Sequence, residues 1–108
     1  MKAYELRLTA GAVRDLNEIY TYIAATQSEQ DAEYVFERIL DVVTGLQTYP
    51  NRGACPAELS VLGSYEYREV FFQPYRIIYS IERTRVYVQL IADGRRNFRA
   101  LLAQRLLG

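Results

Sequence analysis

Apolar and polar residues alternate with a period of two over Ala3 to Leu8, placing Tyr4, Leu6 and Leu8 on one side. This predicts a short, half-buried strand. The period then lengthens to three and four: Val13, Leu16, Ile19, Tyr20 and Ile23 recur at helical spacing. Thr9 is placed to cap that helix, and Arg14, Asp15, Asn17 and Glu18 fall on its wet side. Thr26-Gln27 ends it. Ser28 with Asp31 three residues on resembles a capping box, and Glu29 and Asp31 put negative charge at the positive helix end. Ala32, Val35, Phe36, Ile39, Leu40, Val43 and Leu46 then form a continuous stripe on a second helix. Two helices joined so tightly predict an antiparallel hairpin.

Tyr49-Pro50-Asn51-Arg52-Gly53 stops the hairpin, and residues 51–64, with two glycines and a proline, predict an irregular link. Three runs rich in β-branched and aromatic residues follow within residues 67–96. Gln73-Pro74 and Arg83-Thr84-Arg85 interrupt them, both short enough for antiparallel hairpins. In the middle run Tyr75, Ile77, Tyr79 and Ile81 share one face, while Arg76, Ile78 and Ser80 share the other. Asp93-Gly94 marks a turn. From Asn97 to Leu107, Phe98, Leu101, Leu102 and Leu106 return to helical spacing.

These elements predict an α+β fold in two layers, with one domain over residues 1–108. A helical hairpin lies across one face of a mostly antiparallel four-stranded sheet that the N-terminal strand joins. The far face is expected to present guanidinium groups to something anionic. The last helix either folds back on the sheet or stays free for a partner.

Half of the residues are hydrophobic, which excludes a disordered tail. No run approaches a membrane helix, and the opening MKAYELRLTAG lacks a signal peptide's apolar stretch. The single Cys55 fits a reducing cytoplasm, and nothing beside it in sequence would activate its thiol. With no histidine and one cysteine, no metal site and no cofactor are expected.

Formal net charge is zero, but residues 1–66 hold 10 acids against 5 bases and residues 67–108 hold 3 acids against 8 arginines. Arginine keeps its charge when partly buried and grips carboxylate or phosphate with a planar fork. Two readings follow: an anionic partner for the C-terminal half, or pairing with acids of the same chain. On the second reading Arg76 is an ion-paired sheet residue bonded to Glu69 or Glu82. Arg68, beside Glu66 and Glu69, is structural, and Arg95 and Arg96 are solvated.

Taken in order, LTAGAVRDLNEIYTYIA, YPNRG, YRIIYSIE and ADGRRNFRALLAQRLL resemble the RelE/ParE toxin superfamily across essentially the whole chain. The resemblance implies the toxin half of a bacterial type II toxin–antitoxin module. Such a protein is cytoplasmic, assembles into higher-order complexes and is neutralised by an antitoxin that lays a helix in an apolar groove. The closing segment is more similar to the ParE branch, associated with plasmid stabilisation. That branch implies a non-enzymatic poison of DNA gyrase with a ParD-like antitoxin. Target-binding residues would then be Arg68, Arg76, Arg95, Arg96 and Arg99. Antitoxin-binding residues would be Phe98, Leu101, Leu102, Arg105 and Leu106. The RelE branch implies instead an endonuclease of ribosome-bound mRNA, with Arg76, Arg68, Arg95 and Tyr87 as candidate catalytic groups. Tyr75, Tyr79 and Tyr87 are the available proton carriers. An ordinary tyrosine titrates near 10, about three units too high for easy base work at neutral pH. A third reading is an inactive homologue that still binds antitoxin.

Overall fold

The computed structural model describes residues 3–107. Strand β1 (Glu5–Leu8) leads into helix α1 (Ala10–Thr26), and helix α2 (Glu29–Thr44) follows after a two-residue break. Both predicted caps form. The Thr9 hydroxyl accepts the Ala12 amide at 3.1 Å and the Ser28 hydroxyl accepts the Asp31 amide at 3.0 Å, satisfying helix-end donors that lack a partner. Two single 3-10 turns, Gly45–Gln47 and Pro50–Arg52, take the place of the stop signal. The link contains one further element, helix α3 (Ala57–Ser60), too short to show any periodicity in the sequence. Strands β2 (Tyr67–Phe72), β3 (Tyr75–Glu82) and β4 (Arg85–Asp93) form the meander, and helix α4 (Phe98–Leu102) runs on into a π-type turn over Ala103–Leu107.

The sheet order is β1-β4-β3-β2. The meander is antiparallel, and β1 lies parallel to β4 from Glu5 beside Arg85 to Leu8 beside Val88. The α1–α2 hairpin is the crossover that parallel pairing requires. Register slips between Ile78 and Tyr79, so Gln89 is the extra residue of a bulge in β4. From that point β4 has outrun β1 and its outer edge faces no strand.

Alternation along β3 works as predicted. Ile77 and Tyr79 are buried under the hairpin with Leu16, Ile39, Val43 and Leu46, and Tyr75 and Ile81 pack at the margin. On α1 the stripe is shifted from expectation: Ala12 is buried while Val13 is exposed. Asp15 is not on the wet side either, since its carboxylate is nearly enclosed. The far face of the sheet departs further from the expected open platform. Ile78, Leu90 and Ala92 form a second, smaller core with Leu59 of α3 and with Phe98 and Leu102 of α4. The C-terminal helix therefore folds back on its own sheet.

Candidate binding surfaces and the arginine groups

Arg76 leaves β3 on the far face and is locked. Its Nη1 and Nη2 donate to the two carboxylate oxygens of Glu58 at 2.7 and 2.8 Å, and its Nε donates to Glu69 at 2.8 Å. The guanidinium carbon stands 4.0 Å from the centroid of the Phe98 ring, a cation–π contact that ties α4 to the sheet. Its side chain is only 14% exposed. Two carboxylates surround one guanidinium, so the cluster carries a net negative charge and repels an anion. Hydrogen bonding to Arg76 holds the Glu58 carboxyl below its ordinary range, whereas burial pushes that of Glu69 up. Of the two carboxylates anticipated for Arg76, Glu69 is used and Glu82 is not. Glu58, from the link, supplies the bidentate partner.

Arg68 is also engaged, though with backbone. Its Nη1 donates to the carbonyls of Asn51 at 3.0 Å and Gly53 at 2.6 Å, fastening the Tyr49–Gly53 segment to β2. The same segment is pinned by Tyr79, whose buried hydroxyl donates to the Pro50 carbonyl at 2.6 Å and accepts the Gly53 amide at 3.0 Å. A Cβ on Gly53 would lie 2.5 Å from the Glu69 carbonyl oxygen and 2.7 Å from that hydroxyl, so only glycine fits there.

Arg105, placed by resemblance at the antitoxin, forms a clasp within the chain. It donates from Nη1 and Nη2 to the two oxygens of Asp15 at 2.9 and 3.0 Å, and from Nη2 to the Gln89 carbonyl at 3.2 Å. Asp15 Oδ2 also accepts the Ile91 amide at 3.0 Å. The pair thus reaches round the uncovered edge of β4, joining the far-side helix to the near-side one and satisfying strand groups that β1 is too short to meet. Phe98 and Leu102 are likewise used inside the chain, and Leu101 and Leu106 are half-buried against the same small core. While α4 stays docked, Phe98 and Leu102 offer nothing to a partner.

From the Gly94 turn to the first turn of α4 the arginines face water. Arg95 is 79% exposed and forks onto Asp93 at 2.6 Å through Nη2, its own amide capping the same carboxylate. Arg96 and Arg99 are exposed, and neither has an ion pair among the described residues. A groove of about 490 Å³ runs beside this turn, between α1 and the ends of β3 and β4.

The four candidate catalytic groups are not brought together. Arg76 and Tyr87 share the far face, but Tyr87 pairs in register with Ser80, four residues along β3 from Arg76. That separation is about 13 Å at a rise of about 3.3 Å per residue. Arg68 alternates to the other face, and Arg95 lies in the turn after β4. Burial pushes the phenols of Tyr75 and Tyr79 up, away from neutrality. Burial likewise raises the Cys55 thiol, whose sulfur donates to the Ser64 carbonyl at 3.2 Å. No cluster of metal-binding side chains occurs among the described residues, and no helix there is long and apolar enough to cross a membrane.

A parallel N-terminal strand, a helical hairpin crossing one face, an antiparallel meander and a C-terminal helix closing the other define the RelE/ParE superfamily of toxin folds. Two solved structures share this architecture. One is the chromosomal ParDE toxin–antitoxin system of P. aeruginosa, with TM-score 0.71 and 21% identity over 84% of this chain and 96% of that one. The other is the toxin–antitoxin complex RelBE2 of Mycobacterium tuberculosis, with TM-score 0.63 and 21% identity over 86% and 93%. Comparison with curated proteins gives no match. Residues 6–98 match the family described as ParE toxin of the type II toxin-antitoxin system parDE, and the chain belongs to that family.

Proposed function

We propose that this toxin acts by binding and that its target is DNA gyrase, with a ParD-like antitoxin as its neutralising partner. The observation that carries this reading is the dispersal of Arg68, Arg76, Arg95 and Tyr87. Cleavage of RNA at a 2′-hydroxyl needs a base, an acid and a phosphate-holding cation within reach of one phosphodiester. Here the best-placed cation already serves two carboxylates. A binding toxin needs only a shaped, charged surface, and Arg95, Arg96 and Arg99 supply the exposed cationic one. Arg68 and Arg76 enter this reading as supports of that surface and not as contacts. The Arg95–Arg96–Arg99 segment would face gyrase or its DNA, where each arginine lost weakens a phosphate or carboxylate contact. Cytoplasmic action follows from such a target.

The test is supercoiling of relaxed plasmid by purified gyrase. Inhibition with trapped cleavage complexes, relieved by Arg95→Ala with Arg96→Ala, is the expected result. Codon-phased cuts in translated mRNA, abolished by Arg76→Ala, would establish the endonuclease instead. Silence in both assays, with antitoxin binding intact, would identify an inactive homologue.

A further inference from the structure

We propose that Arg76 is a latch for the whole far layer. Anchored in the sheet, its guanidinium holds α3 by one edge and α4 by its face, so the two helices lift away together as a lid. The lid uncovers Ile78, Leu90 and Ala92 while the α1–α2 layer stays folded. Such a device belongs to the free chain, whatever its target.

Each part of this one side chain has a separate task. Nε is held at 2.8 Å by Glu69, a residue of β2, so the guanidinium stays on the sheet whether the lid is down or raised. That leaves the fork of Nη1 and Nη2 for Glu58 of α3 and the flat face for Phe98 of α4. The stem bears on the tether of α4: a Cβ on Gly94 would lie 2.9 Å from Arg76 Cδ, so the chain leaving β4 starts flush against it. Neither helix has the means to stay down alone. Helices of four and five residues are far below the roughly 12–15 at which a helix begins to hold in water. α3 sends one buried side chain, Leu59, into the far core, and α4 sends two, Phe98 and Leu102. Pro56, at the start of α3, makes no side-chain cap. Exposed chain adjoins both helices, at residues 61–63, where Gly63 turns at φ 75°, and at residues 95–97. The two helices also lie against each other. The Arg105–Asp15 pair ties down the turn after α4 and does not reach α3, so Arg76 is the group that α3 and α4 share.

Hydrogen exchange of the full chain reads the two helices separately, through the amides of Leu59 and Ser60 in α3 and of Leu101 in α4. Cys55, the single cysteine, adds a chemical reporter: its sulfur donates to the Ser64 carbonyl at 3.2 Å across the base of α3, and a small disulfide reagent reaches it as the lid opens. Glu58→Ala removes the hold of α3 on the latch and leaves Arg76 paired with Glu69. It should speed exchange roughly tenfold or more, the scale of a lost charge-assisted hydrogen bond, in α4 as well as in α3. Labelling of Cys55 should quicken alongside, with α1 and α2 still protected. Phe98→Leu keeps the far core filled but removes the ring, and it should release α3 in the same way. Arg76→Lys keeps the charge without the fork or the flat face, and should free both helices in one step. Release of α3 by Glu58→Ala with α4 still protected would mean that the helices are held separately, and would overturn the lid. Equal loss of protection in α1 and α2 would mean global unfolding and would overturn it too. Full protection of both helices in Arg76→Lys would overturn the latch.

Discussion

The near face of the sheet is covered by helices of 17 and 16 residues, whereas the far face is covered by helices of 4 and 5. Under the long hairpin the contacts are almost wholly apolar, and Ile39, Val43, Leu46 and Ile77 are fully removed from water. On the far side a smaller apolar cluster depends on charge: Arg76 holds α3 through Glu58 and leans on Phe98, and Arg105 reaches Asp15. Apolar packing contains no group to titrate or to screen, and a carboxylate–guanidinium network is sensitive to both pH and ionic screening. One sheet thus carries a permanent layer and a conditional one, and the exposed arginines sit on the conditional side.

The largest effects should separate the two layers. Ile39→Ala, in the near core, should cost about 2–5 kcal/mol and lower the whole unfolding transition. Leu102→Ala removes a side chain of similar size from the far core. It should free amide exchange in α4 while the hairpin stays protected, and equal loss of protection in both layers would show that they unfold as one. Arg76→Ala leaves Glu58 and Glu69 facing each other without their cation, a change worth about 3 kcal/mol in chemical denaturation. Restoring half of that by adding Glu69→Gln would trace the cost to the stranded charge.

The acid limb of stability should be shallow, because the two glutamates act in opposite directions. Glu58 has its folded value below the ordinary 4.5, so its contribution is present above that pH and lost as pH falls through the folded value. Glu69 has its folded value above 4.5, so its contribution is present below 4.5 and lost as pH rises through the folded value. Glu69→Gln deletes the second term alone and should steepen the loss of stability on acidification, read from midpoints at several pH values. Smaller still is Asp15→Asn, which weakens the clasp but can still accept the Ile91 amide. We expect about 1–2 kcal/mol and selective loosening of Ala103–Leu107. Arg96→Ala should stay within about 0.5 kcal/mol and change only partner binding.

The near layer was legible in the sequence because long amphipathic repeats and their caps are local: Thr9, Ser28 and the stripe from Ala32 to Leu46 each act on neighbours a few positions away. The far layer was not. Glu58 lies 18 positions from Arg76, and it sits in a four-residue helix with no period to read. The Gln89 bulge leaves no mark in residue type, yet it offsets β4 so that Ile91 and Gln89 need the Asp15–Arg105 pair. Helical position alone places Asp15 in water, because it cannot reveal a partner 90 residues away. The excess of arginine in the C-terminal half is plain in the sequence. Which of its guanidiniums are occupied depended on contacts between distant segments: Arg68 and Arg76 of the expected target-binding set are tied down inside the chain, and so is Arg105.

That same separation in sequence has a temporal side. During synthesis, which proceeds at roughly 5–20 residues per second, the hairpin is complete long before Arg105 has been joined to the chain. Until then the outer rim of β4 has no clasp, and the surface around Arg95, Arg96 and Arg99 has no helix behind it. The part of the molecule proposed to do harm is therefore the last to be assembled.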